Sequence, residues 1–474
     1  MAMHRGGTAV SGQAGGPVPG GSKPSFSQAL DVFRSRNYRF LWTSSLFSFT
    51  GMQMQQVARA LLAWRLTESF GAVGAISLSF GLPMLLFSLV GGSLADRFEK
   101  RNLSLISQVV TGLLALINAL MLVTDTITFE WLFILGLGGG TAMALGMPAR
   151  TPLMAQAVGP DKVMSAMAMS NAAMNFTRLF GPALAGAMVA AWSLESVYFL
   201  QAALYVLSCL TLLFVPRGLG MAMSRGPARQ GMFAEIGAGL KYVATDSRLR
   251  MLNGTMLIIS FFAMPYVMLL AGFVKEELGK GDGAFGLLQS VSGVGALAGS
   301  LAIATLTTYD RKNTVQWVAG VVGGLGLLGL AVGSEAFGYS GALVAILVLG
   351  LALTAYQTLN STLIMDATKP EYYGRVMSIN MLSFSAMPLM AFPLGRVADV
   401  VGVQQMFAVQ GFIVIASLVL VALLNPGHTF GRVAPRAYSA MGMGHGGPGM
   451  ARAGVRPGSP MTEEEAAPAP AGGQ

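Results

Sequence analysis

The sequence predicts an all-α membrane protein with twelve transmembrane helices in two pseudo-symmetric six-helix halves. Three observations carry this. Of 474 residues, 53% are hydrophobic and 11% charged, where a soluble globular domain has roughly a quarter charged. Mean hydropathy is +0.61 over the whole chain, which demands long apolar runs suited to lipid. Such runs recur twelve times, and pieces of the first six return in the last six.

Each run is long enough to cross about 30 Å of hydrocarbon as a helix rising about 1.5 Å per residue. In chain order the first six spans are 38–64, 70–95, 102–124, 130–150, 163–191 and 196–215. The second six are 250–274, 284–308, 314–333, 340–365, 376–399 and 403–425. The longest internal connection, 216–249, separates a first half, 25–215, from a second, 250–425, and reads as a cytoplasmic linker. Tails 1–24 and 426–474, rich in Gly, Pro and Ala, read as disordered. No apolar leader precedes the first span, so no cleaved signal peptide is expected.

The repeat supports the division. Pro160-Asp161-Lys162-Val163-Met164-Ser165 returns as Pro370-Glu371, three inserted residues, then Arg375-Val376-Met377-Ser378. Leu153 and Ala157 match Leu363 and Ala367 at an offset of 210. Asp96-Arg97 matches Asp310-Arg311 at 214, and Gly92-Ser93-Leu94-Ala95 matches Gly299-Ser300-Leu301-Ala302 at 207.

Charge placement orients the bundle. With both termini inside, 24 of the 30 basic residues fall on the inner face, as the positive-inside rule requires. Outside lie Arg65, Lys275 and Lys280; within spans lie Arg59, Arg178 and Arg396. The net charge of +9 therefore marks topology and not nucleic-acid binding. His4, His428 and His445 fall in the tails, so the apolar body has no imidazole for metal binding or acid–base work. The single cysteine, Cys209, excludes a disulfide framework and reads as a packing residue. Neither cofactor nor metal is implied, and no enzyme activity.

Few polar positions remain inside the spans. On span 1, Gln53, Gln55, Gln56 and Arg59 share a sector of about 160° at 100° per residue. Gln53 and Gln56 line a cavity or bond neighbouring helices, and Arg59 does either or snorkels. On span 5, Asn171, Asn175 and Arg178 fall within about 60°, the narrowest polar stripe in the chain. Arg178 requires a partner: substrate, helix carbonyls or a coupling group. Tyr356 and Asn360 share one side of span 10, with Asn380 and Ser383 facing them from span 11 across a cavity or in helix-packing bonds. All 21 acidic residues lie in tails, loops or at span ends, among them Asp96, Asp366 and Asp399. Arg396, three residues before Asp399, makes a local ion pair the expectation there.

Glycines also have a packing reading. Gly324, Gly326 and Gly329 satisfy a G-x-G-x-x-G spacing but lie within apolar span 9 without a preceding strand, so they are no nucleotide loop. Gly295, Gly299 and the run Gly138-Gly139-Gly140 predict close helix approach.

The segment Gly92-Ser93-Leu94-Ala95-Asp96-Arg97-Phe98-Glu99-Lys100-Arg101 resembles the loop 2–3 signature of the major facilitator superfamily, departing at Glu99, where that family usually has glycine. Asn37-Tyr38-Arg39-Phe40-Leu41-Trp42, Met54-Gln55-Gln56-Val57-Ala58, Pro148-Ala149-Arg150, Arg178 to Gly186 and Gly374-Arg375-Val376-Met377-Ser378 resemble its enterobactin-exporter and macrolide-efflux branch. The resemblance covers residues 30 to 425. It implies an inner-membrane exporter working by alternating access, driven by protons and moving a drug, siderophore or amphipathic metabolite, as a monomer in lipid. It also implies that Gly92, Asp96, Arg97, Lys100, Arg101, Pro148, Arg150, Gly374 and Arg375 govern switching, Asp96 facing the start of helix 11. The expectation for Arg97, Lys100 and Arg101 is anchorage at the anionic leaflet. Uptake of a small anion is the second transport reading, and a membrane acyltransferase the enzymatic one.

Overall fold

The computed structural model describes residues 30–218, 232–305, 311–369 and 387–430, with Tyr372, Arg375, Val376, Ile379, Asn380 and Ser383 between. The expected tails 1–24 and 431–474 lie outside the described residues, as do Gly374 and the side chain of Asp96. Helical residues fall on each of the twelve predicted spans, those of the eleventh being described in part. Among the described residues eight helices are long and apolar enough to cross a membrane, and one of these contains two predicted spans.

The first half is built of α1 (Arg36–Thr67), α2 (Phe70–Arg97), α3 (Lys100–Val123), α4 (Phe129–Ala157), α5 (Val163–Ala191) and α6 (Leu194–Leu213). Hydroxyl caps start several of them. Ser35 accepts Tyr38 N, Ser69 accepts Ala72 N, Thr128 accepts Trp131 N and Ser193 accepts Ser196 N, each satisfying a donor that the first turn leaves without a helical partner. The predicted linker contains a helix, α7 (Met232–Thr245). Its Tyr242 ring stacks on Tyr372 at 4.2 Å, beneath the second half.

The second half starts with α8 (Ser247–Ile258), whose N-cap Asp246 accepts the Arg248 and Leu249 amides. It continues through a five-residue π segment, Ile259–Ala263, into α9 (Tyr266–Glu276). Span 7 is thus an interrupted helix, because Pro265 supplies no amide to the ladder. Then come α10 (Asp282–Thr305) and α11 (Lys312–Ala367). The latter folds back at Gly338, whose φ of 59° suits glycine, so its two arms are spans 9 and 10. The chain continues with α12 (Met387–Val401), α13 (Val403–Leu424) and a short α14 (Pro426–Phe430). Phe430 meets the Trp317 ring edge-on at 5.6 Å, so the first residues beyond span 12 are ordered against the bundle.

Lipid offers apolar helices no hydrophobic reward for meeting, so association depends on close approach. Within the first half α2 packs on α4, α3 on α4 and α6, and α1 on α5 and α6; in the second, α10 packs along α11 and α11 on α13. Gly295 and Gly299 face the Leu347 and Leu351 carbonyls, and Gly140 faces that of Phe80, as the glycine runs predict. The most extensive junctions between the halves are α2 with α12 and α5 with α10, and α9 also meets α1 and α2.

Among the described residues these junctions run from one end of the bundle to about its middle, at Gly81 against Pro388 and Gly293 against Leu179. At the end opposite the loop of Arg97 and Arg101, Gly74 lies against the Ala391 carbonyl and Gly186 against Gly286. There the largest apolar core runs through both halves, holding Trp64 and Phe70 from the first with Phe273, Leu394 and Phe407 from the second. Toward the basic end each half keeps its own cluster, Tyr38, Leu41, Leu153 and Leu212 in one and Leu249, Leu252, Leu363 and Val376 in the other.

Candidate substrate pathway and gate

Helix α5 shows what this asymmetry does to the polar stripe. At 100° per residue, Met164, Asn171, Asn175 and Arg178 occupy the same sector of about 80° as Pro182, Gly186 and Val189. The last three are buried, and Gly186 meets Gly286 of α10 so closely that an added Cβ would stand 2.5 Å from its Cα. The first four are exposed, Met164 by 82%. One helix face therefore seals the junction between halves at one end and opens a polar surface at the other. That surface faces the partner half, which explains how three polar residues avoid lipid.

The sealed end is held by charge. Asp399, in the last turn of α12, accepts the backbone amides of Phe70 at 2.6 Å and Gly71 at 3.1 Å and the Ser69 hydroxyl at 2.8 Å. A carboxylate from one half thus caps the positive N-terminus of α2 in the other. The expected partner Arg396 stands 3.7 Å away and is largely exposed, so capping α2 is the main role of Asp399. Beside it Asp282, at the start of α10, pairs with Lys275 at 2.5 Å and with Arg65 of α1. Arg65 and Asp282 again belong to different halves. Asp399, Arg65 and Lys275 were visible in the sequence as charges at or beyond span ends, but the repeat, which pairs Asp96 with Asp310, gave no sign of the Asp399 contact.

At the basic end the loop after α2 holds its own half together. Arg101 is 5% exposed, donating from Nε to the Leu212 carbonyl at 3.3 Å and from Nη2 to that of Leu213 at 3.0 Å. Lys100 is 6% exposed. The expectation that both reach the lipid surface is corrected: both are buried, and Arg101 bonds carbonyls at the negative end of α6. Arg97 is exposed, and Gly92 has open space beside it. Glu99, in the glycine position of the signature, accepts the amide of Gly218 at 2.8 Å and that of the Asn102 side chain at 2.7 Å, tying down the start of the linker. Arg375 lies over the Tyr372 ring at 5.5 Å, and Pro148 is half-buried inside α4.

The remaining polar residues separate. Gln53 lies where α1 meets Gly181 of α5, whereas Gln56 is exposed. Arg59 sits in the first half with its guanidinium 4.3 Å from the Phe80 ring centre, an attraction between cation and π face. Arg150 donates to Ser48 Oγ at 2.6 Å. Tyr356 and Asn360 are buried inside the second half, where Asn360 Oδ1 accepts Gln316 Nε2 at 2.7 Å. Asn380 is buried as well.

Known proteins match this architecture. Residues 27–429 fit the family described as "Transmembrane secretion effector". The chain is 24% identical over 399 residues to the staphyloferrin A transporter of Staphylococcus aureus, covering 82% of this chain and 96% of the relative. It is 22% identical to macrolide efflux protein A of Streptococcus pyogenes over 81% of this chain and 95% of that one. The enterobactin exporter EntS of Salmonella typhimurium is 23% identical, over 60% and 67% respectively. Among solved structures, the nucleoside transporter NupG superimposes with a TM-score of 0.66 at 15% identity, covering 83% of this chain and 99% of its own; this likeness speaks for fold alone. A match over most of the chain, carried by the same two-half fold, places it: the protein belongs to the transmembrane secretion effector family of major facilitator transporters.

Proposed function

We propose that this protein exports an amphipathic solute, of the drug or siderophore class, across the cytoplasmic membrane by alternating access driven by proton entry. The observation that carries the reading is the double use of one α5 face, sealed by α10 at one end and polar and open at the other. Both termini and the basic loops are assigned to the cytoplasm by the positive-inside rule, so the pathway stands open to the cell interior. Asn171, Asn175 and Arg178 present amide and guanidinium donors there. Relatives named for staphyloferrin A, macrolide and enterobactin transport support a sizeable polar or amphipathic cargo.

The test is flux. Purified protein in liposomes, loaded in turn with a macrolide and a catecholate siderophore, should move at least one of them against its gradient under an imposed pH difference. Arg178→Ala should lower that rate about tenfold or more while the thermal unfolding midpoint stays near that of the wild type. Export that persists unchanged when the pH difference is collapsed would overturn proton drive; full activity of the folded Arg178→Ala protein would overturn the stripe as pathway.

A further inference from the structure

The first half contains a small, partly open cleft bounded by α1, α2, α3, α4 and α6. It is separate from the α5 stripe. Arg150, Ser48, Ser104 and Gln108 give it a polar wall, and Met52, Met143, Phe49 and Phe80 an apolar one. The Arg150 guanidinium lies 5.2 Å from the Phe49 ring centre, and of its five N–H groups one is spent on the neutral Ser48 hydroxyl. Among the described residues no carboxylate pairs with it. Acidic residues of this half stand at helix ends: Glu130 and Glu195 in first turns, Asp96 before the end of α2.

Two further observations point to a missing ligand. Ser104 is 2% exposed, yet its Oγ has no hydrogen-bond partner. Arg59, on the other side of the lining Phe80, has a buried Nη1 without a partner. Two guanidinium charges without a nearby carboxylate make the surrounding potential positive, and a charge in such a medium is stable only with an opposite one.

The repeat shows that packing alone does not require this charge. Ser48, Gln108 and Arg150 correspond to Thr255, Gln316 and Asn360 at offsets of 207, 208 and 210. In the second half the equivalent Gln316 and Asn360 bond directly, neutral to neutral, at 2.7 Å. The same framework therefore closes with an asparagine in one half and holds an arginine facing a cleft in the other.

We propose that this cleft binds a singly charged anion, held by Arg150 with the Ser104 hydroxyl as a further donor. Its chemistry suits a halide or a carboxylate alike. The site does not depend on which solute the protein exports, so flux experiments and binding experiments fail separately.

The test is calorimetric titration of the full chain in lipid nanodiscs at constant ionic strength, with the divalent sulfate as balancing anion. Sodium benzoate, sodium chloride and neutral benzamide are the probes. At least one anion should bind saturably, and benzamide at least tenfold more weakly. Benzoate binding identifies a carboxylate ligand, and chloride binding without benzoate binding an inorganic one. Arg150→Gln should weaken the bound anion at least tenfold and Arg150→Lys less, whereas Lys241→Gln, which removes an equal charge from α7, should leave it unchanged. Where Arg150→Gln does not fold, Ser104→Ala should weaken binding at least threefold. Absence of binding by both anions, equal binding of benzamide and benzoate, or variants that bind like the wild type would overturn the site.

Discussion

A single carboxylate can hold two halves of a transporter together when its partner is a helix terminus. Asp399 accepts two backbone amides and a hydroxyl from the start of α2, and net bonds to a charged group contribute about 1.5–3 kcal/mol each. Asp399→Asn keeps the shape and removes the charge. A loss of about 1–2 kcal/mol should lower the ratio of sealed to open molecules at that end about 5- to 30-fold. Spin labels placed on α2 and α12, in a background lacking Cys209, would read the change as a longer distance; an unaltered distribution would refute the latch. Asp96 belongs at the same scale: Asp96→Asn should disfavour the opposite state, shifting the labels the other way. Arg101 differs from both, because it bonds α6 of its own half. Arg101→Ala should lower the thermal midpoint, with about 1–3 kcal/mol lost, and leave the label distances of correctly folded protein in place.

At the scale of elements, the junctions α2 with α12 and α5 with α10 depend on glycine. A side chain at Gly186 or Gly286 would enter the facing backbone, and backbone cannot rotate aside as a side chain does. Gly286→Leu should therefore force the sealed end apart and slow transport by at least tenfold; rapid transport with an unchanged distance between labels on α5 and α10 would show that the junction tolerates bulk. These contacts were partly legible beforehand. Glycine spacing announces close approach at Gly295 and Gly299, because the reason is local to the helix face. The partner helix is not legible, since spacing along one helix carries no information about which neighbour it meets. The linker helix α7 was missed for a related reason: its length and mixed polarity resemble a loop until Tyr242 is seen stacked on Tyr372.

Across the whole molecule the apolar core is continuous at one end and divided at the other, so the two halves can rock about the sealed end without either unfolding. Composition, the twelve apolar runs, the distribution of basic residues and the repeat were enough to determine an all-α, two-half bundle, because each follows from the solvent a helix must face. The stripe Asn171, Asn175 and Arg178 was legible too, as residues seven apart at most on one helix must share a face. What tertiary structure alone decided is where charges 100 or more residues apart meet: Asp399 on the start of α2, Arg65 on Asp282, Arg101 on the end of α6, and Arg150 in a cleft without an acid. Side-chain chemistry fixes what each group needs, but only the folded chain brings the partner that supplies it or leaves the need unmet.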